Sequence, residues 1–574
     1  MEPAQQPLSD QQVVNGALSE LEELSLPHPA VALLRLFIFE ALDERAAAEY
    51  LQSRIFSAEE AYRLASDWAY VVEAVSRNGT MPQPPDVAES RRISQRDGHV
   101  CCVSGLRGTF WDPLIVSPVL AIPVDWIRQR DRVVPMLTAF FGAWYLNWWL
   151  HYIQEPTLLK PEHNHWLVRR SVAQALRSGR VRLDRAQPSM TEFVVDPVII
   201  DTRKPIQIKG LLALLGDHSR AGISKVDARL IGTHARFSKS IQIINLARET
   251  APGLSNPLLP LHYVSHTPTL VPLKPWPGRF QLTSILTTPL FRMWLLFPRR
   301  LRRLAYEALR QLGAYLYGVT AGHASVQKLP FGLFLKYGGT FEWAENEFNA
   351  LRTVRRHTTL TVPKALDLVS EVVSYTNGWG YQDRGPKTYL IMTELPGAPL
   401  SQCIDAISDD NYQLLARQLQ DAVSQLRQIP SVNPALPICN TLGAACREPR
   451  IRDWAPLGPY ADEAAFSQNL RFPDDPARRG HRIVFTHADL NARNIMVDQR
   501  KTPDGRLEWA VVGIVDWETA GYYPEYWDCT KSLFEGFRWP KRHNDVMKSV
   551  FAAMGDYTAE MDVERRAWES GDGV

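Results

Sequence analysis

The sequence predicts an α+β fold in which a mostly helical N-terminal domain precedes a C-terminal half built from both strands and helices. Three observations predict it. Helical patterns fill residues 1–90, prolines interrupt residues 252–277, and two charge-free apolar runs flank a turn within residues 495–515. The length of 574 residues exceeds what one hydrophobic core usually supports, so two or three domains are expected.

Residues 1–90 are predicted to be helical. Residues 31–50 are apolar early and charged late. Ser57, with Glu60 three positions later, forms a capping-box pattern that opens a helix running to Val75. An Asn-Gly dipeptide and a cluster of prolines then end the helical region.

Residues 96–105, RDGHVCCVSG, resemble the opening of fungal HNH-endonuclease-like domains, and a weak, degenerate resemblance extends over residues 91–165. Such nucleases need a downstream histidine base to activate water beside a metal. Residues 114–123 contain no histidine. A hairpin turn with buried Cys101 and Cys102 is therefore favoured, and no nuclease activity is expected.

Residues 133–154 carry no Asp, Glu, Lys or Arg over a length that could span a membrane. Proline, asparagine, histidine and several aromatic residues interrupt this stretch, and aromatic residues belong at a membrane interface more than in the middle of a span. A buried or partner-facing helix is favoured over membrane contact.

Proline density sets the predicted domain boundary, because proline prevents regular helix and central strand. We expect an accessory domain of unknown role at residues 1–250, then a proline-rich linker at 251–290. Two further parts are expected to follow, residues 291–395 with a leading helix and residues 396–574.

The apolar runs at residues 495–497 and 509–515 are predicted to be paired strands, and an Asp-Gly turn signal lies between them. Pairing would place the loop before the first strand, with Asp489 and Asn494, beside the loop after the second, which starts at Asp516. Three oxygen-bearing side chains would then converge at one end of a hairpin.

That convergence suits phosphoryl transfer, in which a protein mainly positions groups and neutralises charge. Asp489 is assigned as the base that accepts the proton of an attacking hydroxyl. Asp516 and Asn494 would supply the hard oxygen ligands that Mg²⁺ prefers. The order His487-x-Asp489-x4-Asn494, then Asp516, is that of a kinase catalytic loop and metal loop. The alternative is that these are ordinary turn residues, since Asp and Asn favour loops.

Residues 485–495 and 514–527 resemble the aminoglycoside phosphotransferase family, in particular its fungal members. The patterns Phe-Thr-His-x-Asp-Leu-x-x-x-Asn-Ile and Ile-x-Asp-Trp-Glu-x-Ala-Gly-x-x-Pro-x-Tyr-Trp carry the resemblance. It covers residues 302–551 and implies a two-lobed protein-kinase-like fold, the roles given above for the three loop residues, and a substrate pocket shaped by residues 439–479. Asp-Trp-Glu stands where a protein kinase has Asp-Phe-Gly, and no Ala-Pro-Glu follows, which favours a small-molecule hydroxyl over a protein acceptor.

The resemblance also assigns the nucleotide. Lys336, in a strand-like run, would bind the phosphates, and Glu347, in the helix pattern that follows, would orient the lysine. When these two residues are considered without the rest of the motif, the alternative is a surface ion pair. The hinge strand would present backbone to adenine at Met392, Thr393, Glu394 and Leu395. ATP with Mg²⁺ is expected, GTP being the alternative nucleotide.

Composition limits the partners. The net charge of +2 gives no global reason to expect nucleic acid or an anionic membrane. The six cysteines form neither a disulfide framework nor a paired zinc motif, and the polar N-terminus lacks the pattern of a signal peptide, so a reducing, cytoplasmic location is expected.

Two other functions remain alternatives. The first is a kinase-like scaffold that binds a partner or nucleotide without catalysis, since residues 317–330 lack a glycine-rich phosphate fingerprint. The second is a nucleic-acid-acting protein that works through residues 91–165. The sequence specifies neither the acceptor nor the oligomeric state.

Overall fold

Two groups of residues, each contacting mainly its own members, divide the chain. The first unit comprises Met1–Pro260, Gln402–Asn411 and Arg500–Glu508, and the second Leu261–Ser401, Tyr412–Gln499 and Trp509–Val574. The computed structural model describes residues 9–24, 26–76, 83–121, 133–154, 160–186, 191–197, 212–250, 291, 293–317, 326–376, 382–451, 456–502, 507–534 and 539–569. The predicted linker, residues 251–290, lies outside the described residues.

Helices dominate the described residues up to position 250, together with short antiparallel strands. The helices are α1 (Asp10–Glu23), α2 (Ala30–Phe39), α3 (Glu44–Gln52), α4 (Ala58–Ser76), α5 (Val87–Arg96), α6 (Val133–Gln154), α7 (Pro161–Asn164), α8 (Arg170–Arg177) and α9 (Ala228–Thr250). The strands are β1 (Leu114–Pro118), β2 (His165–Arg169), β3 (Val181–Arg185), β4 (Glu192–Pro197) and β5 (Leu212–Leu214); β1 pairs with β2, and β4 lies between β3 and β5.

At the start of α4, Ser57 Oγ accepts the N–H of Glu60 at 3.3 Å, which is one of the two hydrogen bonds of the predicted capping box. Further along this helix, Trp68 is fully buried and contacts the rings of Phe37, Phe140 and Phe237 at centroid distances of 5.1, 4.6 and 5.4 Å. Aromatic side chains bury large apolar areas, so this cluster holds α2, α4, α6 and α9 together.

The HNH-like segment is organised around a buried ion pair. Arg96 Nε lies 2.7 Å from Oδ1 of Asp97, and the guanidinium donates to the carbonyls of Glu162 and His165 at 2.6 and 2.9 Å. Asp97 Oδ2 accepts the N–H of Leu167 at 2.7 Å. These bonds tie α5 to α7 and β2, which is a structural role, and the two adjacent cysteines are buried as predicted.

Helix α6, the stretch weighed as a membrane span, is two helical segments that meet at Gly142, whose φ is +72°. None of the described helices combines the length and the apolar character needed to cross a membrane.

From residue 299 onwards, strands and helices alternate, which confirms the predicted α+β class. The helices are α10 (Arg299–Tyr317), α11 (Phe341–His357), α12 (Leu400–Cys403), α13 (Asp409–Leu426), α14 (Glu463–Ser467), α15 (Trp527–Phe534), α16 (Lys541–Ala552) and α17 (Thr558–Glu569). The strands are β6 (Val326–Leu329), β7 (Leu333–Tyr337), β8 (Ala365–Thr376), β9 (Gln382–Thr393), β10 (Ala398–Pro399), β11 (Cys439–Asn440), β12 (Ile483–Thr486), β13 (Ile495–Lys501), β14 (Leu507–Ile514) and β15 (Gly521–Pro524).

The four-stranded sheet, in the order β6-β7-β9-β8, forms one lobe of the second unit. In its β7–β9 pair, Lys336 lies opposite Leu390. Helix α11 follows β7 and buries one face, which includes Glu347, Leu351 and Val354. These residues recur at the three- and four-residue spacing of a helix face, so the glutamate belongs to the buried stripe.

The predicted hairpin is confirmed, because β13 pairs with β14 in the sheet β10-β13-β14. Its turn, residues 503–506, lies outside the described residues. Gly397, beside β10, needs to be glycine, since its φ is +90° and an added Cβ would lie 2.3 Å from the carbonyl oxygen of Val497.

Candidate functional site

The loop before β13 and the loop after β14 lie side by side. The N–H of Val515 donates to the carbonyl oxygen of Asn494 at 2.9 Å and joins the two loops. Asp516 follows with a φ of +66°, a left-handed backbone that few non-glycine residues adopt. Such conformations persist where the surrounding structure enforces them, and they concentrate at functional sites.

Asp489 lies in the first of these loops with hydrogen-bond donors on both carboxylate oxygens. Oδ2 accepts the side-chain amide N–H of Asn494 at 2.8 Å, and Oδ1 accepts that of Asn491 at 3.1 Å. Lys531 Nζ lies 3.3 Å from Oδ1. Burial raises the pKa of Asp489, and the nearby Lys531 ammonium opposes that rise.

Two buried side chains hold the backbone of this loop. Asp528 on α15 accepts the N–H groups of His487 and Ala488 at 3.2 and 2.8 Å, where Ala488 has a φ of +61°. His487 Nδ1 accepts the N–H of Asp489 at 3.2 Å, while Nε2 donates to the carbonyl of Val515 at 2.9 Å. The histidine thus bridges the two loops.

Lys336 extends from β7 into a group of three carboxylates. Its Nζ atom lies 2.9 Å from Glu347 Oε2, 2.6 Å from Asp516 Oδ1 and 2.6 Å from Glu518 Oε2. The side chain of Glu347 is 2% exposed, whereas that of Asp516 is 38% exposed. The predicted lysine, helix glutamate and metal-loop aspartate therefore meet at one point.

The electrostatics of this group follow from burial and crowding. Burial lowers the pKa of Lys336, but the three facing carboxylates outweigh it and hold that pKa well above its ordinary value. Burial raises the pKa of Glu347 against the effect of Lys336. Burial, again opposed by Lys336, raises the pKa of Glu518 to about 7.

These carboxylates fit a divalent cation. Oxygen atoms of Glu347, Asp516 and Glu518 lie within 4.8 Å of one another, and carboxylate oxygen is the ligand that Mg²⁺ prefers. The Lys336 ammonium lies among the three carboxylates, where a metal cation would also be attracted, so these carboxylates already stabilise a positive charge. Asn494 uses its amide N–H toward Asp489, which leaves its side-chain oxygen as the atom able to face a metal.

The predicted hinge residues lie at the end of β9, in the same sheet as Lys336. Met392 pairs with Phe334 across the sheet, and the N–H of Thr393 donates to Lys364 O at 3.1 Å. Glu394 donates its N–H to Gly332 O at 2.8 Å and forms an ion pair with Lys328. Leu395 is half-buried beside them. The N–H groups of residues 393 and 394 are therefore already engaged within the protein.

Sequence reasoning did not single out Glu518, Asp528 or Lys531. Glu518 stood within the Asp-Trp-Glu motif, two residues after Asp516, and that spacing could have found it. Asp528 and Lys531 follow the motif that ends at Trp527, and their three-residue spacing within α15 puts them on one helix face. Only the folded helix brings that face to the Asp489 loop.

Residues 336–561 match the model of the phosphotransferase enzyme family, APH. This segment is similar to phosphotransferases of that family. The match spans Lys336, the Asp489 loop and Asp516 in one domain, and it stops short of residues 1–335. No curated protein matches the chain.

The chain is similar to several solved structures at low identity. The streptomycin–ATP complex of APH(2″)-IIa is 14% identical, with a TM-score of 0.28, over 44% of this chain and 80% of that chain. APH(3″)-Id from Streptomyces rimosus is 16% identical, with a TM-score of 0.27, over 45% and 97%. Choline kinase LicA from Streptococcus pneumoniae is 14% identical, with a TM-score of 0.22, over 46% and 84%.

Proposed function

We propose that the protein is an ATP-dependent phosphotransferase that moves the γ-phosphoryl group to a hydroxyl of a small molecule. The observation that carries the proposal is the meeting of Lys336 with Glu347 and Asp516 at distances of 2.9 and 2.6 Å, inside the segment that matches the phosphotransferase family model. A surface ion pair, the alternative weighed from sequence, is a poor description of a contact in which Glu347 is buried.

The chain's own residues would divide the work. Asp489 accepts the proton of the acceptor's hydroxyl group while the hydroxyl oxygen bonds to the γ-phosphorus. The bond from that phosphorus to the β-phosphate oxygen breaks, which releases ADP. Lys336, oriented by Glu347, holds the nucleotide phosphates. Residues 392–395 would lie at the adenine end of the nucleotide.

Mg²⁺ is the cation that this chemistry implies. Asp516 and Asn494 would hold it, with Glu518 as a further carboxylate of the same group, and when bound it would neutralise the developing charge on the phosphate oxygens. The types of ligand atom support Mg²⁺, since the carboxylate oxygens of Asp516 and Glu518 already surround the positive Lys336 ammonium.

The decisive experiment compares the parent with Asp489→Ala in the full chain. We expect the variant to bind Mg·ATP with an affinity close to that of the parent and to lose turnover by about 10²- to 10⁴-fold, the usual contribution of a positioned base. Asp562→Ala is the matched control, because that carboxylate is 58% exposed. A variant as active as the parent would show that Asp489 is not the base.

The acceptor can be sought by offering the parent an aminoglycoside, choline and a hydroxy amino acid, each with ATP or GTP, and following nucleoside diphosphate release. Binding of Mg·ATP in a thermal-shift experiment without turnover on any acceptor would favour the scaffold alternative. Absence of both binding and turnover would remove the phosphotransferase proposal.

A further inference from the structure

We propose that Lys531 is a positioning residue for Asp489, an inference that rests on the proposed function and adds a residue to its machinery. Lys531 Nζ lies 3.3 Å from Asp489 Oδ1 and 4.0 Å from Glu448 Oε1. The lysine side chain is 6% exposed. Removing an ammonium group from water is costly unless carboxylates face it, and the nearer of the two carboxylates here is the proposed base.

Helix α15 aims this lysine at the loop. Three residues earlier on the same helix, Asp528 accepts the backbone N–H groups of His487 and Ala488. Side chains three apart lie on one helix face, so Asp528 and Lys531 reach the same loop together. Asp528 thus fixes the backbone of the loop, and Lys531 fixes the side chain of Asp489.

A buried network holds α15 in place. Glu448 Oε2 accepts hydrogen bonds from Arg450 at 3.1 Å and from the indole N–H of Trp527 at 2.9 Å. The Arg450 guanidinium lies 4.3 Å over the Trp527 ring and donates to Glu564 at 2.8 Å. Since Arg450 and Trp527 already donate hydrogen bonds to Glu448, the negative charge of Glu448 does not by itself require Lys531 nearby.

The position of Lys531 gives it two effects on the reaction. Asn494 holds Oδ2 of Asp489, and Lys531 with Asn491 holds Oδ1, so the plane of the carboxylate is set from both sides. A base held in that way keeps the geometry required to receive a hydroxyl proton. The fixed ammonium also offsets the repulsion between the carboxylate and an approaching γ-phosphoryl group, which are both anionic.

The test uses steady-state hydrolysis of Mg·ATP by the full chain, without acceptor, and compares Lys531→Met, Lys531→Arg and Lys548→Met with the parent. Lys548, whose side chain is 65% exposed on α16, is the matched control. Lys531→Met should lower kcat by about tenfold to hundredfold while the KM for ATP stays within about twofold. Lys531→Arg should recover part of the loss, and Lys548→Met should match the parent.

A double variant separates positioning from general damage. If Lys531 acts through Asp489, Lys531→Met should lower turnover little further in the Asp489→Asn background. Equal, additive losses in both backgrounds, a parental kcat for Lys531→Met, or failure of that variant to fold would overturn the inference and leave the proposed function standing. A parent that neither binds nor hydrolyses Mg·ATP would remove the proposed function itself, and this inference with it.

Discussion

Lys336 Nζ and Asp516 Oδ1 lie 2.6 Å apart, although 180 residues separate them along the chain. One residue belongs to β7 and the other to the loop after β14, so the contact joins the four-stranded sheet to the β13–β14 hairpin. Asp516 is therefore both the partner of the Lys336 ammonium and a ligand of the proposed metal.

Replacing Lys336 should weaken nucleotide binding. Lys336→Met removes the ammonium that we assign to the phosphates, and a hydrogen bond to a charged group is worth enough to lower Mg·ATP affinity by about 10- to 100-fold. Isothermal titration calorimetry measures the change. Lys541→Met, on an exposed position of α16, is the control. An unchanged affinity would show that Lys336 does not contact the phosphates.

Mg²⁺ without nucleotide should stabilise Lys336→Met more than it stabilises the parent. The variant lacks the ammonium between the three carboxyl groups, so a divalent cation no longer competes with it for their oxygen atoms. Millimolar MgCl₂ should raise the melting temperature of the variant by about 2–4 °C more than that of the parent. Equal shifts in both proteins would argue against a cation site at this group.

Asp528 should contribute strongly to stability, because Asp528→Ala leaves the buried N–H groups of His487 and Ala488 without their acceptor. We expect the free energy of unfolding to fall by about 2–3 kcal/mol, as measured by urea denaturation. Asp528→Asn keeps one side-chain oxygen and should lose less. Asp562→Ala, whose carboxylate is 58% exposed, serves as the control. A similar loss in all three variants would contradict the role given to Asp528.

His481 should make stability depend on pH. Burial lowers its pKa, but Glu463 at 2.7 Å and Glu560 at 3.0 Å outweigh burial and raise that pKa above its ordinary value. The imidazolium therefore stabilises the folded state fully below about pH 6.5, and this contribution disappears as pH rises through the raised folded pKa.

The comparison for that prediction is His481→Gln, with the exposed His357→Gln as control. At low pH the variant should be less stable than the parent by roughly 1 kcal/mol or less, since the group is partly exposed. The difference in melting temperature should shrink between neutral pH and pH 9. A difference that stays constant over this range would show that the histidine is neutral in the folded protein.

The sequence was most informative where local patterns decide structure. Apolar runs before and after a turn predicted the β13–β14 hairpin, and the side chains at its end were named from spacing alone. The break between α2 and α3 was harder to find, since residues 31–50 contain no proline or glycine. It is set by Asp43, which accepts the N–H of Ala46 as the cap of α3.

Local patterns in the sequence do not indicate long-range contacts. That Lys336 and Asp516 belong to one site followed only from the family resemblance, and the contact with Glu518 was not anticipated, because these contacts depend on how a sheet and a hairpin pack. Lys531 was missed for the same reason. Its proximity to Asp489 exists only once Glu448, Arg450 and Trp527 have fixed α15.

Helix α15 is eight residues long, and the side chains it directs at the Asp489 loop come from its first five. This arrangement separates what an engineer would have to preserve from what could be exchanged. Under the proposed function, the other loops of residues 439–479 are where we expect changes to alter which alcohol is accepted. Glu448 and Arg450 lie inside that stretch, but their contacts fix the position of α15. A graft that moved α15 without these two residues would keep the helix and lose the placement of Asp528 and Lys531 beside the Asp489 loop.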